Sequence, residues 1–196
     1  MLAEMGSRPD VEMHEDFRRI RPPLEGRLVR LRSIEPEDAE RLNPMFNDPA
    51  VLAGLTMAMP QASSGFHEWH EAVRRRDDEI ELIIETLEGE AIGACGLRGL
   101  NERNRAGNLG IWIARPYWGR GFGTDAVRTL CRFAFRHMNL QRVDLHVYAN
   151  NLRGRRAYEK VGFRLEGTLR RAQFVSGEYV DELVMGLLAE ELTEEA

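Results

Sequence analysis

Short apolar runs, broken by glycine or by charge, recur along this chain, and their spacing predicts a regular succession of elements. Leu28, Leu31 and their neighbours read as a first strand. Glu35-Pro36-Glu37-Asp38 then supplies a proline and acids in the pattern of a helix first turn, so a helix is expected to run to Phe46, where Asn47-Asp48-Pro49 ends it. A second helix is expected from Ser63-Ser64 through Trp69 and Val73, with Arg74-Arg75-Arg76 complementing its carboxy-terminal dipole. Ile80-Glu81-Leu82-Ile83-Ile84-Glu85 and Ala91-Ile92-Gly93-Ala94-Cys95-Gly96-Leu97 flank Glu88-Gly89-Glu90 as a hairpin, and Leu109-Gly110-Ile111-Trp112-Ile113 adds the next antiparallel strand. The stretch from Thr124 to His137 is a crossover helix to Val143-Asp144-Leu145-His146-Val147, which makes the strands on either side of it parallel. The fold class that results is α+β, with a mixed, mostly antiparallel sheet and helices on both faces.

Composition narrows the class. With 196 residues, 43% hydrophobic and 30% charged, the chain suits one domain with a sizeable core, expected over residues 26–196. Residues 1–25 mix charges with Pro9, Pro22 and Pro23 and are expected to form a flexible tail or a partner arm. The 27 Lys+Arg against 32 Asp+Glu give a formal charge of -5, which excludes wholesale nucleic-acid binding. Locally the balance reverses: Arg115, Arg120, Arg153, Arg155 and Arg156 cluster in two segments, and a basic pocket on an acidic protein fits an anionic ligand. Arg155 or Arg156 taken singly reads as part of a solvated helix face. Cys95 and Cys131 sit in apolar runs without metal-ligand spacing, as buried free thiols do. His67 and His70 share a helical spacing, but no acid or cysteine pattern completes a metal site, so no metal is expected. No signal-type apolar core or membrane-length run is present, so a cytoplasmic protein without membrane contact is expected.

The segment richest in chemistry is Trp118-Gly119-Arg120-Gly121-Phe122-Gly123-Thr124, which lies between a strand and a helix. Alternate glycines let the backbone turn sharply and keep side chains away from its N–H groups, while the helix start adds unpaired donors and the positive dipole end. A phosphate-bearing ligand suits this device, and Arg120 and Arg115 could supplement it. Gly121-Phe122-Gly123-Thr124-Asp125-Ala126 also fits a dinucleotide fingerprint, with Asp144 at the distance of a ribose-binding acid. Against that reading, the strand continues past Asp144, and too little chain follows for further repeats. A Walker loop is excluded because no Gly-Lys-Ser/Thr is present.

The second segment is Val147-Tyr148-Ala149-Asn150-Asn151-Leu152-Arg153-Gly154-Arg155-Arg156-Ala157-Tyr158-Glu159-Lys160-Val161-Gly162-Phe163. Together the two segments resemble the GNAT acetyltransferase superfamily, whose members read strand, glycine turn, helix, strand, an Asn, a short helix ending in Tyr-Glu-Lys-x-Gly-Phe, and two closing strands. Tyr117 to Gly123, the opening Leu28-Val29-Arg30-Leu31-Arg32 and Glu166-Gly167-Thr168-Leu169-Arg170 are similar to the branch of RimJ/RimL-type ribosomal-protein and spermidine acetyltransferases. The resemblance covers residues 25 to 190. It implies a sheet of about seven strands whose parallel pair splays apart to admit a cofactor arm.

Acetyl-CoA is the cofactor this resemblance implies, as acetyl donor to a primary amine by direct attack in a ternary complex. The amine could belong to a small molecule, a polyamine or a protein N-terminus. Backbone groups around Ile113 and Ala114 are implied to pair with the pantetheine arm, N–H groups from Gly119 to Thr124 to hold the pyrophosphate, and Asn151 to hydrogen-bond the arm, with Trp118 and Arg153 also at the cofactor. Tyr158 is the implied proton donor to the departing thiolate, since an ordinary phenol is protonated at neutral pH. Two departures stand out. Gly154 replaces a frequent hydroxyl residue, and Asn108 stands where relatives often carry a Glu base. Asparagine takes no proton, so the base stays open between water, His146, Glu178 and Asp181. Phe174, Val175, Tyr179 and Val180 put apolar residues on an exposed hairpin, which with the resemblance suggests a homodimer. The rival readings are a dinucleotide-dependent oxidoreductase and a catalytically inactive CoA-binding module.

Overall fold

The structure is a computed structural model and describes residues 24–55, 60–62, 64–65, 76–175 and 177–194. The expected amino-terminal tail up to residue 23, and nearly all of the expected second helix with His67, Trp69 and His70, lie outside the described residues.

One seven-stranded sheet organises the chain, in the order β1-β2-β3-β4-β5-β7-β6. Its strands are β1 (Val29–Arg32), β2 (Ile80–Thr86), β3 (Ala91–Asn101), β4 (Ala106–Ile113), β5 (Arg142–Tyr148), β6 (Arg164–Val175) and β7 (Glu178–Leu188). Every neighbouring pair is antiparallel except β4 and β5, the two joined by the crossover helix α3 (Phe122–His137). The expected hairpin and crossover are where the sequence pattern puts them, and β3 and β4 extend a few residues further.

Alternation of side chains along the strands divides the sheet into two faces. Val29, Leu31, Cys95, Leu97, Val143 and Leu145 form the main core with Ala126, Val127, Leu130 and Ala134 of α3. On the opposite face, Ile83, Ala94 and Trp112 meet Ala39, Leu42 and Met45 of α1 (Asp38–Phe46). Helix α3 is fastened to β1 by Asp125, whose carboxylate accepts the Leu28 and Val29 N–H groups at 2.7 and 3.2 Å. Leu130, fully buried beneath it, would cost about 2–5 kcal/mol on truncation to alanine.

Two local details differ from the sequence reading. Helix α1 begins at Asp38, because its carboxylate accepts the Glu35 N–H at 2.8 Å and pairs with Arg32 at 2.7 Å, holding Pro36-Glu37 in a turn ahead of the helix. Asn47-Asp48-Pro49 ends α1 and also starts another helix: Asp48 accepts the Ala50 N–H at 2.8 Å and Pro49 is the first residue of α2 (Pro49–Leu52).

Candidate active site

The glycine turn leads from β4 into α3. Gly119 and Gly121 adopt φ of 73° and 90°, the left-handed region that other residues avoid. Asp125 N–H is bonded to the Gly121 carbonyl at 3.0 Å, whereas the N–H groups of residues 119–124 donate to no acceptor among the described residues. Such a run of unpaired donors at a helix start is an anion-binding concavity. Gly123 has ordinary backbone geometry, and a side chain there would meet nothing nearer than Ile113 Cγ1 at 3.7 Å.

β4 and β5 pair only from Ala106↔Arg142 to Asn108↔Asp144, and beyond that the two strands part. The Ala114 N–H donates to the Ile92 carbonyl at 2.8 Å. With Gly93 opposite Ile113 in the antiparallel register, this directs the N–H and C=O groups of Ile111 and Ile113 away from β3 and into the gap. Trp118 Nε1 caps the Ile113 carbonyl at 2.6 Å, and the Arg153 guanidinium lies 3.3 Å from the centre of the indole. The glycine turn and the next helix are thereby linked across the mouth of the gap.

That helix, α4 (Leu152–Val161), follows β5. Asn151 caps it, its side-chain oxygen accepting the Gly154 N–H at 3.0 Å, and Gly162 closes it at φ 116°. The glycine at 154 has a local reason, since a Cβ there would come within 2.9 Å of Asn151 Nδ2. Arg153, Arg156 and Lys160 are spaced to share one helical face, and together with Tyr158 they line a cavity of about 360 Å³. Ile111, Ile113, Gly121, Gly123 and Thr124 line it from the sheet and the turn, and Val51, Gly54, Leu55 and Trp112 from the α1 side. The cavity thus passes through the sheet between β4 and β5.

Tyr158 sits on the α3 side of this passage, partly buried, its ring edge-on to the core residue Phe163 at 6.0 Å. Burial pushes its pKa up to about 12, with Arg153 opposing the shift. Its hydroxyl is therefore a proton donor throughout the physiological range.

Among the residues expected at the cofactor, Ile113, Trp118, Gly119, Gly121, Gly123, Thr124, Asn151 and Arg153 line the cavity, but Ala114, Arg120 and Phe122 do not. Ala114 is fully buried and its N–H is taken by β3. Arg120 turns back over the rings of Tyr117 and Phe122, at 5.7 and 5.1 Å. The oxygen of Asn151 is committed to the α4 cap, which leaves its amide nitrogen as the donor. Arg156 is exposed, as expected, and also lines the cavity, whereas Arg155 pairs with Glu159 at 2.7 Å. Val51, Gly54 and Leu55 were not foreseen. They come from a four-residue helix and the turn after it, and only the Asp48-Pro49 start signal pointed there.

The dinucleotide reading fails on geometry. Asp144 pairs with Asn108, whose Nδ2 donates to it at 2.7 Å, and it lies at the far end of the strands from the glycine turn, roughly 17 Å of strand below Ile113. Of the groups weighed as base, Asp181 accepts the Arg171 N–H at 2.8 Å, and Glu178 stands exposed at the β6–β7 hairpin. His146 Nδ1 lies 3.2 Å from Glu182 Oε2.

The glycine turn, the split parallel pair and a tyrosine at the split are thus brought together at one cavity. The GNAT acetyltransferase domain profile matches residues 28–164. The chain belongs to the GNAT acetyltransferase family. It is an acetyl-CoA-dependent N-acetyltransferase that acts on amines. Among its relatives is the SPbeta prophage-derived uncharacterized N-acetyltransferase YokL of Bacillus subtilis, 30% identical over 169 residues, covering 85% of this chain and 93% of that protein. Spermidine N(1)-acetyltransferase of Escherichia coli is 26% identical over 157 residues, 80% of this chain and 84% of that one. Mycobacterium smegmatis RimJ in complex with CoA-disulfide superposes with a TM-score of 0.76 at 26% identity, covering 84% of this chain and 83% of that one. The fold is also that of the Vibrio cholerae spermidine N-acetyltransferase in complex with CoA and spermine, with a TM-score of 0.77 at 24% identity, 83% of this chain and 96% of that one.

The residues present fit acetyl-CoA. Unpaired N–H groups at the turn, with Arg153, Arg156 and Lys160 opposite, suit a pyrophosphate. The outward N–H and C=O of Ile111 and the outward N–H of Ile113 suit an amide-bearing arm.

Proposed function

We propose that the enzyme acetylates a primary amine on a protein N-terminus, a polyamine or another small molecule, by direct attack in a ternary complex. One observation carries the reading: the cavity runs through the sheet, with Tyr158 and the glycine cradle on one side and Trp112 and Leu55 on the other. Donor and acceptor can then meet in the gap from opposite faces. Bound acetyl-CoA supplies an electrophilic thioester carbon. The backbone N–H groups of residues 119–124 hold its phosphates, Ile111 and Ile113 align its arm along β4, and Tyr158 donates a proton to the departing sulfur. Spermidine is the first acceptor to test, given the spermidine acetyltransferases named above, and ribosomal-protein termini the second, given the branch that the sequence resembles.

The test is thiol release from acetyl-CoA over a panel of amines, with calorimetry against CoA and NAD. CoA binding with turnover of at least one amine is the expected result. Binding without turnover would favour an inactive CoA-binding module, and NAD binding in place of CoA would sink the reading altogether.

Three further features belong to the same proposal. Residues 26–196 are read as one acetyltransferase domain, supported by the single sheet that runs from β1 to β7. A homodimer through β6 and β7 is supported by the edge position of β6 and by exposed Leu165, Leu169, Phe174 and Tyr179. Light scattering that gives only monomer above micromolar concentration would remove it. A cytoplasmic location is supported by the free, buried Cys95 and Cys131 and by the lack, among the described residues, of a helix long and apolar enough to cross a membrane.

A further inference from the structure

Catalysis needs a group that takes the acceptor's proton, and the strand register singles one out. β4 and β5 last pair at Asn108↔Asp144. The next positions on that same face, the face of α1 and Trp112, are Gly110 on β4 and His146 on β5. Gly110 leaves open space, for a Cβ built there would have no heavy atom within 4 Å. His146 stands across the gap from Gly110 in register, its side chain 43% exposed.

The neighbouring groups are all otherwise engaged. Asp144 takes the Asn108 amide at 2.7 Å and faces Arg142 at 3.8 Å. The Tyr148 hydroxyl donates to the Leu55 carbonyl at 2.9 Å. Glu182 of β7, its side chain only 8% exposed, lies 3.2 Å from His146 Nδ1 and takes the Gln173 amide at 3.1 Å. With the Glu182 carboxylate beside Nδ1, Nε2 is the ring nitrogen left for the acceptor's proton.

Resting on the acetyl-transfer reading, we propose that His146 is the general base for the acceptor ammonium, with Glu182 as its positioning residue. His146 Nε2 removes one proton from the ammonium across the Gly110 opening. The freed nitrogen lone pair forms the C–N bond as the C–S bond breaks, and the sulfur takes the Tyr158 proton from the other side of the sheet. The second nitrogen proton restores the phenol through water. His146 releases its proton to solvent, so that one proton leaves per turnover. The split sheet thus keeps base and acid on opposite faces.

The experiment compares wild type, His146→Gln, Glu182→Gln and Tyr158→Phe across pH, using whichever of spermidine, spermine or an alanine-starting peptide gives thiol release. His146→Gln is expected to lose about 100-fold in kcat/KM at pH 7, with the deficit closing as pH rises toward the amine pKa, where no base is needed. Glu182→Gln should show a smaller deficit of the same shape, and Tyr158→Phe a deficit that does not close. CoA affinity should be unchanged in His146→Gln. A normal kcat/KM at pH 7, or an equal loss at every pH, overturns the assignment. NMR of the protein alone decides independently of turnover: the neutral His146 ring must carry its hydrogen on Nδ1. The opposite tautomer also overturns it. No turnover on any amine, with the ring behaving as expected, would count against the acetyl-transfer reading instead.

Discussion

The two faces of the sheet at the β4–β5 gap are built on different principles. On the α3 face, the cradle and Tyr158 come from two contiguous segments, the turn around Gly121 and the helix after Asn151, whose geometry is set by local backbone rules. On the α1 face, Gly110, Trp112, His146, Tyr148 and Glu182 come from three strands and meet only through register, with Leu55 added by the short α2 turn. The lining of the α3 side is thus set locally along the chain, whereas that of the α1 side is set by the assembled sheet. Substitutions on the two sides should fail in different ways.

The largest effect is expected at the turn. Gly121→Val forces a β-branched residue to φ 90° with Leu28 Cδ1 at 3.2 Å, whereas Gly123→Val has ordinary backbone and room toward the protein. Both should weaken CoA binding by roughly 100-fold or more, through lost charge-assisted hydrogen bonds and occlusion. Only Gly121→Val should also lower Tm. Calorimetry and melting of the pair separate ligand occlusion from strain, and normal CoA affinity in both would mean the cradle is elsewhere.

Tyr158→Phe comes next. Turnover should fall by about 10- to 100-fold while CoA affinity and Tm hold, because the ring still packs on Phe163. With the phenol pKa pushed up to about 12, wild-type activity should show no alkaline decline from this group below about pH 11. A decline near pH 9 that vanishes in Tyr158→Phe would contradict the burial argument.

The α1 face offers a stability counterpart in Glu81. It shares a row with Gly96 and Gly110, and its Oε2 is buried without a hydrogen bond, with Arg98 Nη2 at 3.7 Å. Burial pushes its pKa up to about 7 from 4.5; Arg98 opposes the shift and Glu79 adds to it. Between those two values the unfolded chain loses the proton and the folded protein keeps it, so stability falls as pH rises through this window. Glu81→Gln should remove that fall and raise stability at pH 8 by on the order of 2 kcal/mol. Urea melts at pH 5 and pH 8 would show it, and identical pH dependence in the variant would refute it.

The smallest effects are expected on α4. Arg156→Ala and Lys160→Ala should each weaken CoA binding by roughly five- to tenfold, more at low salt. Arg155→Ala, whose partner Glu159 points away from the cavity, should not. Equal effects at all three positions would mean that α4 contributes only a diffuse positive field.

The hairpin around Gly89, the crossover helix and the glycine turn were all legible in sequence because each is fixed by neighbours a few residues apart. Helical spacing puts Arg156 on an exposed face but does not say that this face also borders the cavity. Ala114 was misplaced because strand parity decides which backbone groups enter the gap, and parity becomes known only once Ala114 N–H is seen bonded to Ile92. The base could not be chosen from His146, Glu178 and Asp181 for the same reason, since all three lie in strands and differ only in what stands opposite.

By itself, then, the sequence determined the order of elements, the α+β class, the glycine turn and the short helix that carries Tyr158, because hydrophobic period, glycine conformation and helix capping act over short spans of chain. The tertiary structure decided where β4 and β5 part, which face each polar residue of the gap occupies, and that α2 reaches the cavity. Those outcomes depend on pairing between strands tens of residues apart, where a shift of one residue would move every side chain to the opposite face.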